Sequence, residues 1–566
     1  MKKAMLLFSL VLAAGLVHAG PAEDAGFFVG QATLGPTDGP ELQPYYFNAD
    51  RTLSPDTLYT LRGQVYFEDG ATLTIPAGTR IVGEPAGTIV IKQGGQIFVN
   101  GTPEEPVVMT SAMEPGMRSN GDWGGLVVLG RAPLNVDPAG TDIEGGIIEG
   151  QYGGDIADDS SGVIKYLRLE FPGYRFEEGN EINGLTMGGL GHGTELHHVQ
   201  VSFANDDSYE WFGGNVDGHH LVALGGLDDD FDVDEGFRGR LQFLFAMKYP
   251  DIFDAAGSAN GLENDSKDEA EPFSQPIYSN ITMVGPERID ALVGNLPPGN
   301  THRNMGVLRE NTRSSIFNSV LVGFVRGWSL RDGSIQAALD GDLRIQNSSF
   351  TAMYDGYPDG SAHDTDRFPT IEDWLGTTAF NNNGIDQRLP STVGLTDMSD
   401  LTNPQPQPQA FSELDGTADF SNDYLADVAG RYSFDTTANY RGAFAPGVAM
   451  DQQWTAGWTN FDPQNTTYFV AVEDLGELPL ANATVRNYPN PFNPTTKVQF
   501  NLPRAGNVSL KVFDVAGRVV AELHEGDLPA GQFSIDFDGA GLSSGTYFAR
   551  LQGDGFDAVQ KMQLVK

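Results

Sequence analysis

From about residue 50 onward, short apolar stretches alternate with glycine-rich corners: Ala71 to Ile75, Thr88 to Ile91, Gln96 to Val99, Val107 to Thr110, Leu126 to Leu129 and Val163 to Leu169. Each is of strand length, and their uneven spacing argues against a meander of hairpins with one loop length. Sliding the sequence by 22 residues aligns Val199 with Leu221 and Phe243, Val201 with Ala223 and Phe245, and Tyr209 with Phe231 and Phe253. The same shift sets Asp207 on Asp229 and Asp251, and Glu210 on Asp232 and Asp254. Apolar and acidic positions therefore repeat together, as expected for a parallel β-helix whose coils stack ~4.8 Å apart.

Further coil-like stretches run from Ser279 to Val284, Ser315 to Val322 and Leu343 to Phe350, the last two carrying Asn318 and Asn347, a residue type that supports tight corners by bonding backbone groups. The pattern predicts coils over residues 50–355 within an all-β domain at 20–470, a right-handed parallel β-helix with inserted loops. Tyr354 to Pro408 reads as linker with a short helix near Ile371 to Leu375. The aromatic segment Tyr440 to Trp458 is expected to cap an open end of the solenoid. After a linker at 471–485, alternation returns in Val498 and Phe500, then Val508, Leu510 and Val512, then Phe533, Ile535 and Phe537, and finally Tyr547, Ala549 and Leu551. Strands at this spacing predict a small antiparallel β-sandwich over 486–566.

Composition agrees with this reading: 70 Gly and 33 Pro suit many short strands and turns. The net charge of −42 disfavours nucleic acid or an anionic membrane surface and favours cations as partners. Plain solvation of an acidic surface remains an alternative. The absence of cysteine excludes disulfides, thiolate metal sites and a lipid-modified N-terminal cysteine. Lys2 and Lys3, the apolar run from Ala4 to Val17, and Ala19-Gly20 predict a signal peptide at 1–19. No other segment approaches the ~20 apolar residues of a membrane span, so no transmembrane segment is expected in the mature chain.

Three motifs near the C-terminus carry a family resemblance. Tyr488-Pro489-Asn490-Pro491-Phe492-Asn493-Pro494, Val512 to Arg518 with Gly517 and Arg518, and Leu542 to Tyr547 with Gly545 and Tyr547, followed by Lys561 to Lys566, resemble the C-terminal sorting domain of type IX secretion cargo. The resemblance implies export to the cell surface or the medium with the type IX machinery as partner. The N-terminal part, through Gly121 to Leu126, Asn205-Asp206-Asp207, Glu210 to Gly214 and Tyr440 to Phe444, is similar to uncharacterised secreted β-helix proteins of Bacteroidetes-like bacteria, of pectin-lyase-like fold. That resemblance carries over no catalytic residue.

The acidic ladder is the first candidate for chemistry. Asp207, Glu210, Asp229, Asp230, Asp232, Asp234, Asp251 and Asp254 are the candidate metal ligands, with Glu210, Asp232 and Asp254 expected to point outward from successive coils. Calcium suits them, since it takes six to eight hard oxygens at ~2.4 Å and two carboxylates one coil apart can share an ion. Asp206, Asp228 and Glu235 are possible additions. Five of the nine histidines, His192, His197, His198, His219 and His220, fall in one stretch near Asp217, where surface stacking and a zinc site are both open. Trp123, Trp211, Phe212 and Trp328 would stack on sugar rings if exposed. The favoured function is an exported, non-catalytic β-helix that binds glycan or surface material. The rival is a calcium-assisted polysaccharide lyase or glycoside hydrolase, with Asp206 and Asp229 as acid and base and Arg238, Arg240 or Lys248 assisting.

Overall fold

The computed structural model describes residues 30–36, 44–138, 141–177, 180–254, 259–292, 294–302, 304–350, 374–384, 390–468, 484–488, 490–502, 506–528, 531–553 and 556–566. The signal peptide, most of the 471–485 linker, and Pro489 lie outside them. Within them the chain winds into a parallel β-helix whose strands collect in a 17-stranded and a 10-stranded sheet. The larger sheet bends around a corner. Gly162–Glu170, for instance, pairs at its start with Gln96–Asn100 and at its end with Val107–Ser111.

The bend is made by a single residue in the left-handed region. Tyr166, His198, His220, Phe243, Asn280, Asn318, Asn347 and Asn381 stack at this corner, with φ between 48° and 58°. Most L-residues lose 1–2 kcal/mol there, and asparagine loses least because its amide bonds locally. Asn347 Nδ2 donates to Asn318 Oδ1 at 2.6 Å, and Gln242 Nε2 donates to Asn280 Oδ1 at 3.0 Å. Asn318 and Asn347 stand at the corner as expected, but they bond each other's side chains, and the backbone groups they reach are those of Asp419 and Thr417.

The 22-residue register holds for one step and then shifts. Val199 faces Leu221 and Tyr209 faces Phe231, as the sequence predicts. The next coil is one residue longer, so Leu221 faces Leu244 and Ala223 faces Ala246. Phe243 takes the corner and Phe245 turns outward beneath Phe444. A longer excursion after Met247 places Leu262, not Phe253, against Phe231.

The segment from Leu414 to Tyr468 corrects the expected end cap: it is a strap along the flank. Arg441 bonds Ser348 O and Asn347 Oδ1 near the C-terminal coils, Asn460 N bonds Gln200, and Tyr468 reaches Glu170 near the N-terminal ones. Its course follows from what the coils expose. Val222, Leu224, Phe245, Met247, Val284, Val320 and Val322 form an outward apolar stripe, buried by Leu414, Phe444 and Trp458 together with Val393, Leu395 and Met398. Part of the presumed linker thus contributes core, through the antiparallel pair Leu395–Asp397 and Gln405–Pro408. Trp374 and Leu375 are helical and join the core, whereas Ile371 to Asp373 lie outside the described residues. A helix missing from the sequence expectation, Gly333–Asp340, inserts Ile335, Ala337 and Ala338.

The C-terminal unit packs a three-stranded sheet, which starts at Thr484–Tyr488, with a four-stranded antiparallel sheet around Phe492, Val498, Phe500, Leu510, Val512 and Leu551. The sorting motifs sit at its joints. Asn490 accepts from Gln563 N and donates to Lys561 O, while Pro494 O accepts from Gly539 N. Gly517 makes the turn at φ 76°, closed by Arg518 on Asp514, and Tyr547 OH donates to Ser543 O.

The corner ladder generates a test. Asn318→Ala loses bonds to Ser279 Oγ, Asp419 and Asn347 and keeps a Cβ in the left-handed region without the amide that offsets its strain. Asn318→Gly loses the bonds alone. Urea unfolding is expected to show about 2–4 kcal/mol lost for Ala and about 1 kcal/mol less for Gly.

Candidate functional site

Two polar ladders run side by side on the 10-stranded sheet. Along Leu185–Gly188, Tyr209–Phe212, Phe231–Asp234 and Leu262–Asn264, the apolar residues Tyr209, Trp211, Phe231, Val233 and Leu262 enter the core. Strand alternation therefore turns Thr186, Glu210, Asp232 and Glu263 outward on successive rungs. At the preceding corner, Asn183, Asp207, Asp229, Asn260 and Asn304 form the second ladder, in which each of the first four side chains accepts the backbone N–H of the next rung. Asn183 Oδ1 accepts from Asp207 N at 3.3 Å, Asp207 Oδ1 from Asp229 N at 2.7 Å, and Asn260 Oδ1 from Asn304 N at 3.3 Å. Asp229 Oδ1 accepts from Asn260 N.

Ligand oxygens of Asp207, Glu210 and Asp232 lie within 4.8 Å of one another, and those of Asp206, Asp207 and Asp228 form an overlapping group. Asn183 Nδ2 donates both to Glu210 and to Glu144, which an inserted loop brings over the sheet. Asp232 Oδ1 is shut off from solvent with no hydrogen-bond donor. Of the other predicted ligands, Asp230 is buried against Lys248 Nζ at 3.3 Å, and Asp234 pairs with Lys267 at 3.2 Å. Asp251 and Asp254 do not stack on the ladder: they sit on the excursion that breaks the register, where Asp251 is exposed and Asp254 N bonds Leu227 O. Glu235 accepts from Tyr152 OH at 2.6 Å and stands apart from the triplet.

The true third rung is Glu263, which the fixed shift misses because it lies beyond the excursion. The pattern Leu262-Glu263-Asn264 repeats Tyr209-Glu210-Trp211 and Phe231-Asp232-Val233 once a gap is allowed. Arg309 neutralises this rung, at 2.6 Å from both Glu263 and Asp265.

A family model described as a pectate-lyase-like beta helix domain matches residues 46–388. The chain belongs to this pectate-lyase-like β-helix family. A second model, a secretion system C-terminal sorting domain, matches residues 486–565, and this tail marks the β-helix for export by the type IX machinery to the cell surface or the medium. A search of curated proteins finds no match. No helix of the described residues is long and apolar enough to cross a membrane.

Burial raises the carboxyls throughout the ladder of this pectate-lyase-like β-helix, Asp206 and Asp229 included. Burial first, then neighbouring carboxylates, hold Asp207, Glu210 and Asp232 well above the usual carboxylate range. Burial, and after it Asp229, pushes Asp228 to about 7, and burial opposed by Lys248 pushes Asp230 to about 7. Two carboxylates ionised at the separation of this triplet repel by about 3 kcal/mol at an effective dielectric of ~20.

The enzyme candidates are dispersed. Lys248 is buried in its pair with Asp230. The Arg240 guanidinium bonds the carbonyls of Tyr432, Tyr424 and Ala426 and lies 4.4 Å from the Phe434 ring centroid, under the strap. Arg238 walls a cavity of about 280 Å³ with Gly214, Gly236 and Arg431. Trp123, Trp211, Phe212 and Trp328 are buried, which removes them as sugar platforms. His198 and His220 stack as expected, with centroids 4.4 Å apart. Asp217 instead binds Arg431 and Tyr432 N, and His192 bonds Asn215.

Asparagine at the flanking rungs does the corner work of Asp207 without charge, so Asp207→Asn isolates the cost of that charge. A folded-state value raised above the unfolded one gives stability that is full below pH ~4 and lost as pH rises through the folded value. In chelator, Asp207→Asn should therefore raise the melting temperature by a few degrees at pH 8 and leave it nearly unchanged at pH 4.5. An equal effect at both pH values would remove the charge argument.

Proposed function

We propose that this is an exported, non-catalytic β-helix whose carboxylate triplet, Asp207, Glu210 and Asp232, holds a divalent cation of the calcium class and stiffens a surface that binds glycan or neighbouring surface material. The observation carrying the reading is the substitution of Asp for Asn within an otherwise neutral corner ladder. Asn183 and Asn260 supply the same backbone acceptor, yet the two rungs between them carry buried negative charge beside Glu210 and Asp232. Such a charge cluster is unfavourable unless a cation neutralises it. Oxygens within 4.8 Å of one another fit a single ion at ~2.4 Å from each, and Asp232 Oδ1 has a lone-pair site with no donor.

The same surroundings favour binding over turnover. The basic groups nearest the carboxylates, Arg309, Lys248 and Lys267, are engaged in ion pairs, and Glu144 and Asn183 cover Glu210. For the glycan, the exposed aromatics among the described residues include Tyr45 and Tyr46 at the N-terminal coil, with Lys92 Nζ 5.8 Å from the Tyr46 ring, and Phe411 far along the chain. Membership in a pectate-lyase-like family keeps the lyase or hydrolase reading as the second one, though a fold by itself assigns no chemistry.

Calcium should reverse the sign of the Asp207→Asn effect. At pH 8 and high salt, calcium at a hundred times its dissociation constant stabilises the wild-type chain by ~2.7 kcal/mol. Asp207→Asn and Asp232→Asn should lose most of that response while melting no lower than wild type in chelator. Scanning calorimetry with calcium, magnesium and chelator reads this out, and a wild-type response to ionic strength alone would overturn the site. Unsaturated ends released from anionic polysaccharide in calcium would instead establish the lyase reading.

A further inference from the structure

The two coils that carry the carboxylates also carry four imidazoles at the left-handed corner on another side of the solenoid. His197 and His198 approach Nδ1 to Nδ1 at 2.8 Å, and His219 and His220 at 2.7 Å. Within each pair the rings are nearly perpendicular, at 83° and 81°. Between coils the rings are parallel: His197 stacks on His219 at 4.8 Å and His198 on His220 at 4.4 Å. Ligand nitrogens of His197, His198 and His219 lie within 4.8 Å of one another, and His220 Nδ1 adjoins that of His219.

A neutral imidazole has one N–H and one lone pair, so each Nδ1 to Nδ1 contact needs one nitrogen as donor and the other as acceptor. Glu195 decides which. Its Oε1 lies 2.9 Å from His197 Nε2, which places the His197 proton on Nε2 and turns the Nδ1 lone pair into the cluster. A carboxylate on the far nitrogen of a histidine is the usual outer support of a metal ligand, fixing the tautomer and raising basicity.

Stacking alone does not account for these residues. The same corner is filled by Tyr166 and Phe243 on the adjacent coils and by asparagine further on, all without a ligand nitrogen. His197 and His219 stand beside the corner rather than on it, and there the next coil carries Gln242.

We propose that His197, His198 and His219, with His220 bonded behind His219 and Glu195 supporting His197, form a metal centre for a divalent transition ion of the copper or nickel class, separate from the carboxylate site. Two nitrogens 2.8 Å apart that are both ~2.1 Å from one ion subtend about 85°, the cis angle of a tetragonal centre. Binding moves the Nδ1 proton of His198, and that of His219 where His219 is the donor of its pair, to Nε2, so the centre releases no proton and needs no redox partner. The cluster adjoins the strap: the Trp454 ring is 5.0 Å from His220 and the Trp458 ring 5.6 Å from His198. A bound paramagnetic ion therefore reports itself by quenching these indoles.

The test titrates Cu²⁺ into the full chain with excess Ca²⁺ present to occupy the carboxylates. The expected result is one equivalent bound, a tetragonal electron paramagnetic resonance signal with coupling to several nitrogens, and quenching of tryptophan emission. His198→Asn should weaken binding at least tenfold with an unchanged melting temperature, because asparagine already occupies this corner on other coils. Glu195→Gln keeps every imidazole and should weaken binding about tenfold. Copper bound through oxygen only, no stoichiometric binding, or binding unaltered in a folded His198→Asn/His219→Gln chain would each overturn the centre. Failure here leaves the calcium reading standing, since its readout uses different residues and a different ion.

Discussion

Everything in this molecule hangs on closing each coil with a single left-handed residue so that the next coil can stack in register. Parallel strands bond each other rung to rung, and a corner that drifted by one residue would turn every inward side chain outward. The corner residue must therefore tolerate a positive φ and also bond or stack on its neighbours above and below. Asparagine does so with its amide from Asn280 to Asn381, while an aromatic and imidazole stack does so from Tyr166 to Phe243. The strap is built on the same feature. Asn280 Nδ2 donates to Tyr440 O, Asn318 Nδ2 to Asp419 O, and Asn347 Nδ2 to Thr417 O. The corner that orders the coils thus also docks the segment covering their outward apolar stripe.

Against this regular frame, a departure from neutral ladder chemistry marks where the structure is doing more than stacking. Asp207 and Asp229 retain the corner bond that asparagine would make and add charge that burial makes unfavourable. Glu210 and Asp232 add to it on the adjoining strands, and Arg309 compensates Glu263 alone on the following rung. On the proposed reading local stability is tied to a cation here, whereas the stretch of corner built from asparagine needs none.

The strand pattern was legible because its causes are local: alternation, glycine corners and a short period are written in consecutive residues. The 22-residue shift found the rungs through Glu210 and Asp232 for the same reason. It failed at Asp251 and Asp254, where an inserted residue and then a long excursion changed the coil length, so that a fixed period ran out of register although an acid following an inward apolar residue persisted at Glu263. The strap was misplaced for a different reason. Its aromatic residues announce burial but not against what, and the stripe they cover is spread over Val222 to Val322 on separate coils. Loop coverage by Glu144 and neutralisation by Arg309 are likewise contacts between distant segments that no periodicity encodes. Trp123, Trp211 and Trp328 show the converse: in sequence an aromatic beside glycine reads as exposed or buried, and only the direction of its strand face decides.

The placement of the two clusters on the same two coils has a chemical logic of its own. Tyr209 opens the strand that bears Glu210, and its hydroxyl reaches Val199 O at 2.7 Å, immediately after His198, through the core of one coil. One coil thus presents hard carboxylate oxygens on one side and neutral imidazole nitrogens on another, held apart by a packed aromatic interior. Cations sort between such sites by ligand type, calcium to oxygen and copper or nickel to nitrogen. The interior makes that sorting rigid, because neither cluster can borrow a ligand from the other without unstacking the coil. With both proposed centres filled, a chain without cysteine, exported beyond the cell's reducing interior, would gain cross-coil ties from metal ions where other secreted proteins use disulfides.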